Sequence, residues 1–429
     1  MGSTRSLSLL APAAALLLQS AAMGFSTPYD FAPVTALAEG ALVGQNVADP
    51  VPGFELRLMH RGRVVYHQSF GNWSLDRVAN CDSSTKTLSG GVIAAVIDAS
   101  PALPRPFTLD SRLSDFIPAF NVLIKRNITI RQSFSHTAGM ATGSTAVSSR
   151  TLTLQQAAVQ IAGEPLEFLP GSTFSYGGVS MHAAGAAAEA AAGIPWNTLF
   201  QQRIAGPLGL QITQYTLTTP QNPRIAGGAE SNAQEFSRFM EMLRLGGIHN
   251  GPSGPVRVLS QQSVNQIFTR QSPLGIPIAN TPLTGVSDYG VGVWLDQRSA
   301  SGNLIGAIAG GARGFCSWVD FDDEMVGCIS TDTTSFSNIE TLQYLIRAAA
   351  EQAIRNPACL ADLVADGAPG RDGTVDGSDF IAFINSFAIG DADIDPAADI
   401  CDAGGTPPGD GTIDGADFVA FINAFAAGC

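Results

Sequence analysis

Apolar and polar residues alternate near the start of this chain of 429 residues. The alternation from Phe54 to Met59 and from Val64 to Phe70 predicts two strands, and the polar run at 60–63 between them is typical of a turn. The pattern over 31–45 favours a helix before them. The chain therefore opens with a helix and an antiparallel pair of strands.

Strand patterns return much later in the chain, at 289–294, 305–309, 315–321 and 325–330. A helix is predicted after Ser83, another closes this part over 339–354, and the stretch at 105–285 is mostly helical with Pro and Gly breaks. Strands at both ends of a helical middle predict an α/β protein of the α+β type. One antiparallel sheet is flanked by helices and carries a helical insertion.

The end of the chain contains an internal repeat. The segment from Asp372 to Phe387 returns 38 residues later, from Asp410 to Phe425, and each copy is an acidic loop followed by a short amphipathic helix. A match of this length does not arise by chance. We therefore predict a main domain over 25–355 and a small α-helical module over 356–429.

The first 24 residues have the layout of a secretory signal peptide. Arg5 gives a positive charge, an apolar stretch runs from Leu9 to Leu18, and small residues near Ala22 offer a cleavage site. The stretch is shorter than the ~20 residues that span a bilayer, so no membrane span is predicted. We expect bacterial-type export to a secreted, cell-surface or periplasmic location.

The net charge of −14 is concentrated in the last part of the chain. Residues 359–429 carry thirteen aspartates and one arginine, so the rest of the chain is nearly neutral. No basic patch is available to neutralise phosphates, which excludes nucleic acid as an expected partner.

Six cysteines fit an oxidising compartment. Cys316 and Cys328 are symmetric about Asp322 in the turn between two predicted strands, so we expect them to face each other and form a disulfide. Buried free thiols are the alternative. Cys359 and Cys429 bracket the acidic end and are a second candidate pair.

Only two of the 23 basic residues are lysines, and one of them, Lys86, follows Ser83 by three residues. A serine hydroxyl needs a nearby base to become a nucleophile. Arginine stays protonated, whereas a buried lysine amine can lose its proton. Residues three apart on a helix share a face, so the two side chains would meet. Alone, the pattern is weak evidence, because a solvated helix face gives the same spacing.

Three further motifs follow in chain order: His136-Thr-Ala-Gly139, Phe174-Ser-Tyr-Gly-Gly178 and Ala309-Gly-Gly-Ala-Arg-Gly314. With Ser-x-x-Lys, residues 30–355 resemble the serine hydrolases built like class C β-lactamases. That family also includes penicillin-binding DD-peptidases and carboxylesterases. The resemblance implies a β-lactamase/transpeptidase-like fold.

The same resemblance implies roles for single residues. Ser83 is the expected acylated nucleophile, Lys86 takes its proton, and Tyr176 is a second acid/base, while His136 is expected to be structural. The backbone N–H groups of Ser83 and Ala312 are the expected oxyanion hole. Gly178, Gly310 and Gly311 occupy substrate-binding positions. Catalysis of this kind uses no cofactor.

Two positions depart from the family pattern. Gly178 replaces the asparagine of Tyr-x-Asn, and Ala309-Gly-Gly replaces Lys-Thr-Gly or His-x-Gly, so the cation that grips a substrate carboxylate is missing unless Arg313 supplies it. These losses argue against hydrolysis of β-lactams and peptides. Small neutral esters fit better, and a carboxylesterase is the preferred interpretation. The alternatives are a DD-peptidase or β-lactamase, or a non-catalytic protein that binds the cell wall.

The acidic end resembles a dockerin-like module of the type that finishes in Gly-Cys. Aspartates spaced i, i+4 and i+7 resemble the later ligands of an EF-hand-like calcium loop, which implies bound calcium and a partner on a scaffold or cell surface. The loops are longer than usual, and a solvated acidic tail is the alternative. The predicted ligands are Asp362, Asp372, Asp376 and Asp379 in the first copy and Asp399, Asp410, Asp414 and Asp417 in the second.

Overall fold

The computed structural model describes residues 29–251, 253–283, 285–356, 360–365, 368–369, 375–392, 395–402, 407 and 409–427. The predicted signal peptide, Asp372, Cys359 and Cys429 lie outside the described residues. Among the helices of the described ranges, none combines the length and the apolar character that a bilayer span needs.

A six-stranded antiparallel sheet forms the centre of the molecule. Its strands are β1 (Gly53–His60), β2 (Arg63–Gly71), β3 (Trp294–Arg298), β4 (Leu304–Gly310), β5 (Cys316–Asp320) and β6 (Met325–Ser330). The order across the sheet is β3-β4-β5-β6-β1-β2. The pairing of β1 with β6 joins the two ends of the main domain, as the two sets of strand patterns predicted.

Thirteen α-helices are found in the described residues. They are α1 (Ala32–Leu42), α2 (Thr85–Ala99), α3 (Leu113–Phe116), α4 (Ile130–Phe134), α5 (Leu154–Gly163), α6 (Val179–Ala192), α7 (Trp196–Phe200), α8 (Gly206–Leu208), α9 (Ala233–Arg244), α10 (Gln261–Ile267), α11 (Phe336–Arg355), α12 (Gly377–Ile389) and α13 (Gly415–Ala427). Helix α9 packs on β1, β5 and β6, and α1 packs on α11. The helices predicted over 31–45, after Ser83 and over 339–354 are confirmed.

The insertion between β2 and β3 is less regular than predicted. Its helices are joined by a π-helical segment at Gln201–Ala205, by 3-10 turns and by short strand pairs. The short strands are Ala79–Asn80, Gln214–Tyr215 and Ala229–Ser231 in one sheet, Phe174–Ser175 with Ile278–Asn280, Thr218–Thr219 with Asn222–Pro223, and Ile248–Gly251 with Gly254–Arg257. The 3-10 turns of the main domain are Asp82–Ser84, Ser100–Ala102, Pro118–Phe120, Leu123–Asn127 and Thr145–Ser148.

The strand predicted at 289–294 is wrong, since only Trp294 belongs to a strand. Two glycines explain the difference. A Cβ on Gly292, whose φ is +78°, would lie 2.2 Å from the carbonyl oxygen of Lys86, and a Cβ on Gly90 would lie equally close to the carbonyl of Val291. The segment is therefore a loop packed against α2, and Gly292 accepts a 2.8 Å hydrogen bond from Thr87 Oγ1.

The register of β5 and β6 overturns the predicted Cys316–Cys328 disulfide. Cys316 pairs with Ile329, and Cys328 pairs with Ser317. The prediction centred the turn on Asp322, one residue out of step with the observed pairing. Neighbouring residues of a strand point to opposite faces. The two sulfurs therefore lie on opposite sides of the sheet, and both thiols are free and buried.

The repeat at the end of the chain has a hydrophobic core of its own. The rings of Phe383 on α12 and Phe421 on α13 stack with centroids 4.0 Å apart and planes 9° apart, and both side chains are fully buried. The short strands Val364–Ala365 and Ala368–Pro369 and the 3-10 turn Pro396–Ala398 precede the helices. The repeated phenylalanines therefore pack a pair of helices against each other.

Candidate active site

Ser83 lies in the 3-10 turn Asp82–Ser84, which runs directly into α2. Asp82 adopts a φ of +45°, a left-handed conformation that is uncommon for any residue but glycine. The hydroxyl of Ser84 donates to the carbonyl oxygens of Ala309, at 3.0 Å, and Phe315, at 3.1 Å. These bonds fix the turn against the ends of β4 and β5, so Ser83 is held at the edge of the sheet.

Lys86 reaches back from the first turn of α2 to Ser83. Its Nζ lies 2.8 Å from Ser83 Oγ and donates to the carbonyl oxygen of Ala226 at 2.9 Å. The side chain is 4% exposed. Burial, and to a smaller extent the positive charge of Arg224, lower the pKa of the amine to about 7, and the charge of Asp82 partly opposes them. A large fraction of the amine is therefore uncharged near neutral pH, beside a hydroxyl it can deprotonate.

Tyr176 completes the group around the hydroxyl. Its N–H donates to the carbonyl of Asn280 at 2.9 Å, and Asn280 Nδ2 donates to the Tyr176 carbonyl at 2.6 Å, so the strand pair 174–175 and 278–280 positions it. Lys86 Nζ lies 4.6 Å from the centre of its ring. Burial raises the pKa of the phenol to about 12, and a hydrogen bond with Ser83 offsets part of that rise. The phenol is therefore a proton donor at neutral pH.

The rings of Trp294 and His136 pack against Tyr176. Trp294 stacks on it at 5.4 Å with planes 19° apart, and the His136 ring lies 4.4 Å away. Nδ1 of His136 accepts a 3.3 Å hydrogen bond from the N–H of Gly177. Burial lowers the pKa of His136 well below its usual value. His136 is thus a neutral support for the turn that carries Tyr176, as the sequence predicted.

The side chains of Ser83, Lys86 and Tyr176 line a cavity of about 320 Å³. Five predicted site residues meet there: Ser83, Lys86, Tyr176, Gly178 and Ala312. The other lining residues are Asp82, Thr142, Gly143, Ser144, Val147, Ser148, Gly177, Val179, Arg224, Ala226 and Gly227.

Two predicted substrate-binding residues are not among the described residues that line this cavity. The N–H of Gly311 donates to the carbonyl of Phe315 at 2.7 Å, and a Cβ on Gly311 would lie 2.3 Å from the carbonyl oxygen of Cys81. A Cβ on Gly310 would lie 2.2 Å from the ring of Phe336. The two glycines permit close packing, and of the third motif only Ala312 is among the described lining residues.

Arg313 is bound to Asp82 and does not supply a free cation. Its Nε and Nη2 each donate to the carboxylate at 2.9 Å, and its backbone N–H donates to the same group at 3.1 Å. This three-bond contact clamps the turn that carries Ser83 to the turn that carries Ala312. The suggestion that Arg313 replaces the missing cation is therefore wrong.

Gly178 is confined by its surroundings. A Cβ at this position would lie 3.1 Å from the Cβ of Ala226, and a Cβ on Gly177 would lie 2.8 Å from the Cα of Thr142. A side chain at 178 would require Ala226, whose carbonyl holds Lys86, to shift by a few tenths of an ångström. A residue without a side chain at 178 therefore fits the close packing on this side of the cavity.

The aspartates of the repeat mostly bond to their own backbone. Asp376 and Asp414 accept from the N–H groups of Ser378 and Ala416 at 2.7 Å, Asp410 accepts from Thr412, Asp379 accepts from Leu363, Val364 and Asp376, and Asp417 accepts from Ile400, Cys401 and Asp414. Asp362 is buried and also has a partner. Within the described part of the repeat, no three of these carboxylates converge on one point.

Asp399 is the exception among these aspartates. It is 8% exposed, its Oδ2 accepts from the N–H of Gly411 at 2.8 Å, and its Oδ1 is buried without a partner. Burial raises the pKa of this carboxyl, and the charge of Asp417 adds to the rise. Among the predicted ligands of the second copy, Asp399 is the one whose buried carboxylate oxygen has no partner within the described residues, and the charge of Arg63 acts on the same carboxyl. In the first copy, the described aspartates give no comparable sign.

Sequence reasoning missed two contributors to the cavity. The carbonyl of Ala226 holds Lys86, and Arg224 lies two residues before it. A backbone carbonyl leaves no trace in residue type, and Arg224 stands in no motif of the family. Only the fold reveals either residue, since the segment lies about 140 residues from Lys86 in the chain.

Residues 21–351 match the protein family described as Beta-lactamase. Among solved structures, a provisional beta-lactamase from Bacteroides dorei DSM 17855 is 23% identical, with 76% of this chain and 100% of that chain covered and a TM-score of 0.65. EstCE1, a hydrolase with promiscuous acyltransferase activity, is 20% identical, with 74% and 97% covered and a TM-score of 0.58. A family VIII carboxylesterase is 17% identical, with 75% and 97% covered and a TM-score of 0.60. No curated protein sequence matches this chain.

Proposed function

Since this chain belongs to the beta-lactamase family of hydrolases, we propose that it is a serine hydrolase that cleaves esters through an acyl-enzyme, as a carboxylesterase does. The observation that carries the proposal is the 2.8 Å separation of Lys86 Nζ and Ser83 Oγ in a cavity, with the pKa of the amine lowered to about 7. An amine that is uncharged and touching a hydroxyl is the base that a serine nucleophile requires.

The reaction follows from these positions. Ser83 Oγ attacks the ester carbonyl, and its proton passes to Lys86 Nζ. The oxyanion of the tetrahedral intermediate accepts hydrogen bonds from the N–H groups of Ser83 and Ala312. Collapse breaks the bond to the alcohol, which leaves with the proton from Lys86. Water then attacks the acyl-serine, gives its proton to Lys86, and the acid departs as the proton returns to Ser83. Tyr176, protonated at neutral pH, stays within hydrogen-bond reach of Ser83.

The cavity favours esters over lactams and peptides. Gly178 offers no side-chain amide to hold an acyl-amide group, and a Cβ at this position would lie 3.1 Å from the Cβ of Ala226. The third motif has no cation, and Arg313 is bound to Asp82. The similarity in fold to a carboxylesterase is consistent with this choice. A β-lactamase or DD-peptidase is the second candidate, because a structure named a beta-lactamase/D-alanine carboxypeptidase, from Yersinia pestis, shares the fold.

Two assays test the proposal. Turnover of p-nitrophenyl acetate that exceeds turnover of nitrocefin, and that disappears in Ser83→Ala, supports the esterase. The opposite ratio supports the lactamase. Labelling with a fluorophosphonate probe distinguishes both from a non-catalytic binding protein. An adduct on Ser83 is expected, and wild-type protein that forms no adduct contradicts any serine hydrolase.

The repeat at 356–429 is proposed as a dockerin-like calcium module that anchors or docks the enzyme on a cell-surface or scaffold protein. The buried, unpartnered Oδ1 of Asp399 supports the cation, because a bound Ca²⁺ would take that oxygen and offset the repulsion from Asp417. Calcium should raise the melting temperature of the repeat, and Asp399→Asn should remove that rise. Indifference of the wild type to calcium and EDTA contradicts the proposal.

We also propose that the protein is exported. The leader over 1–24 is expected to be removed on the way to a secreted, surface or periplasmic location. N-terminal sequencing of the protein made in a bacterial host tests this prediction. A mature chain that begins near residue 25 supports it, and an intact Met1 in the culture medium contradicts it.

A further inference from the structure

Three charged side chains line the cavity, and two of them are neutralised or bound. Asp82 is paired with Arg313, and Lys86 is held by Ser83 and Ala226 with its pKa lowered to about 7. The third is Arg224, an exposed residue. Across the described ranges, its guanidinium forms no ion pair and no side-chain hydrogen bond. The cavity therefore carries one uncompensated positive charge.

The backbone around Arg224 is fixed although the side chain is not. Its N–H donates to the carbonyl of Leu217 at 3.3 Å, and its carbonyl accepts from Gly227 at 3.2 Å. A Cβ on Gly228 would lie 2.7 Å from the same carbonyl oxygen, so a glycine is required for the turn to close. The turn thus holds Arg224 at the cavity, two residues from the carbonyl that holds Lys86.

A guanidinium with free N–H groups can bind a carboxylate through two parallel hydrogen bonds. The lining of the same cavity also includes the hydroxyl groups of Thr142 and Ser148, and Ser148 donates to the carbonyl of Thr145 at 3.4 Å. The charge of Arg224 already reaches the reacting group, since it lowers the pKa of Lys86. A carboxylate bound to Arg224 therefore lies in the cavity that holds Ser83.

We propose that Arg224 binds a carboxylate of the substrate, so that the preferred substrates are esters that also carry an ionised carboxyl group, such as hemiesters of dicarboxylic acids. The proposal rests on the ester hydrolysis proposed above and narrows its substrate class. Arg224 lies on the turn at 224–228 and not in the third motif, whose missing cation argues against lactams. The expectation of small neutral esters is thereby corrected to small esters that carry a carboxylate.

The test compares two esters of similar size, monoethyl succinate and ethyl pentanoate, by release of ethanol. It is run at pH 9, well above the pKa of about 7 of Lys86 in the wild type, to reduce the influence of Arg224 on the protonation of Lys86. The wild type should prefer the hemiester. Arg224→Gln should lower the ratio of kcat/KM for the hemiester to kcat/KM for ethyl pentanoate about tenfold or more, while Arg224→Lys should keep part of the preference. Acetoxyacetate against propyl acetate repeats the comparison with the carboxylate on the alcohol side.

Arg203→Gln is the matched control, because Arg203 is also exposed and lies outside the described lining of the cavity. It should change neither substrate. Equal turnover of both members of both pairs by the wild type would overturn the role of Arg224 and leave the esterase intact. An equal fall for both substrates in Arg224→Gln would also overturn it. Absence of all ester turnover, with no fluorophosphonate adduct on Ser83, would instead contradict the ester hydrolysis on which the role of Arg224 rests.

Discussion

The turn that carries Ser83 and the acidic repeat both contain a short motif, but the motifs differ in how much geometry they determine. Ser83 and Lys86 are three residues apart where a 3-10 turn runs into α2, and their side chains touch as the spacing requires. The aspartates of the repeat also have regular spacing, yet most of them bond to nearby backbone N–H groups. Spacing within a rigid helix fixes contacts, whereas aspartates in loops have backbone partners that compete for them.

The largest expected effect on activity comes from substitution of Lys86, beside the turn that carries Ser83. Lys86→Arg should lower kcat/KM for p-nitrophenyl acetate by about 10³-fold, because arginine stays protonated and cannot act as a base. The other lysine is the control: Lys125 donates to the carbonyls of Ala162 and Glu164, far along the chain from Ser83. Lys125→Arg should leave the steady-state rate unchanged. Similar losses in both variants would show that lysine content, not the Ser83 contact, matters.

The second prediction concerns the repeat. Phe383→Ala removes one member of the stacked pair and should destabilise the repeat by about 3–5 kcal/mol, the usual loss for a buried phenylalanine. Hydrogen exchange should then show lost protection in α12 and α13. Ester turnover should not change, since the repeat has a core separate from that of the main domain. A parallel fall in turnover would mean that the two regions depend on each other.

The sequence was informative wherever residue type decides the contact. The α+β arrangement, the sheet at both ends of the main domain and the Ser83–Lys86–Tyr176 group follow from apolar periodicity and from motifs. Register did not follow: the Cys316–Cys328 pairing failed because a one-residue difference in the turn reverses which face a side chain occupies. The carbonyl of Ala226 and the clamp between Asp82 and Arg313 depend on segments brought together only by folding, so no local pattern reveals them.

The third prediction has a smaller expected effect and concerns the contact between Asp82 and Arg313. Asp82→Asn breaks the charged contact with Arg313, which holds the Ser83 turn beside Ala312. We expect kcat to fall about tenfold while KM changes little, because this contact positions the oxyanion donors without touching substrate. Arg313→Gln should give the same loss, and the double variant should lose no more than either single one. Additive losses would show that the two residues act separately.

The central claim is that burial makes Lys86 a base near neutral pH, and the pH dependence of kcat/KM for a neutral ester tests it most directly. The uncharged amine is the active form and its pKa is about 7. Log kcat/KM should therefore rise with unit slope below pH 7 and be flat from about pH 8 upward. A rate that still rises through pH 10 would contradict the account, because it would assign the proton transfer to an unshifted lysine or to the phenol of Tyr176, whose pKa is about 12.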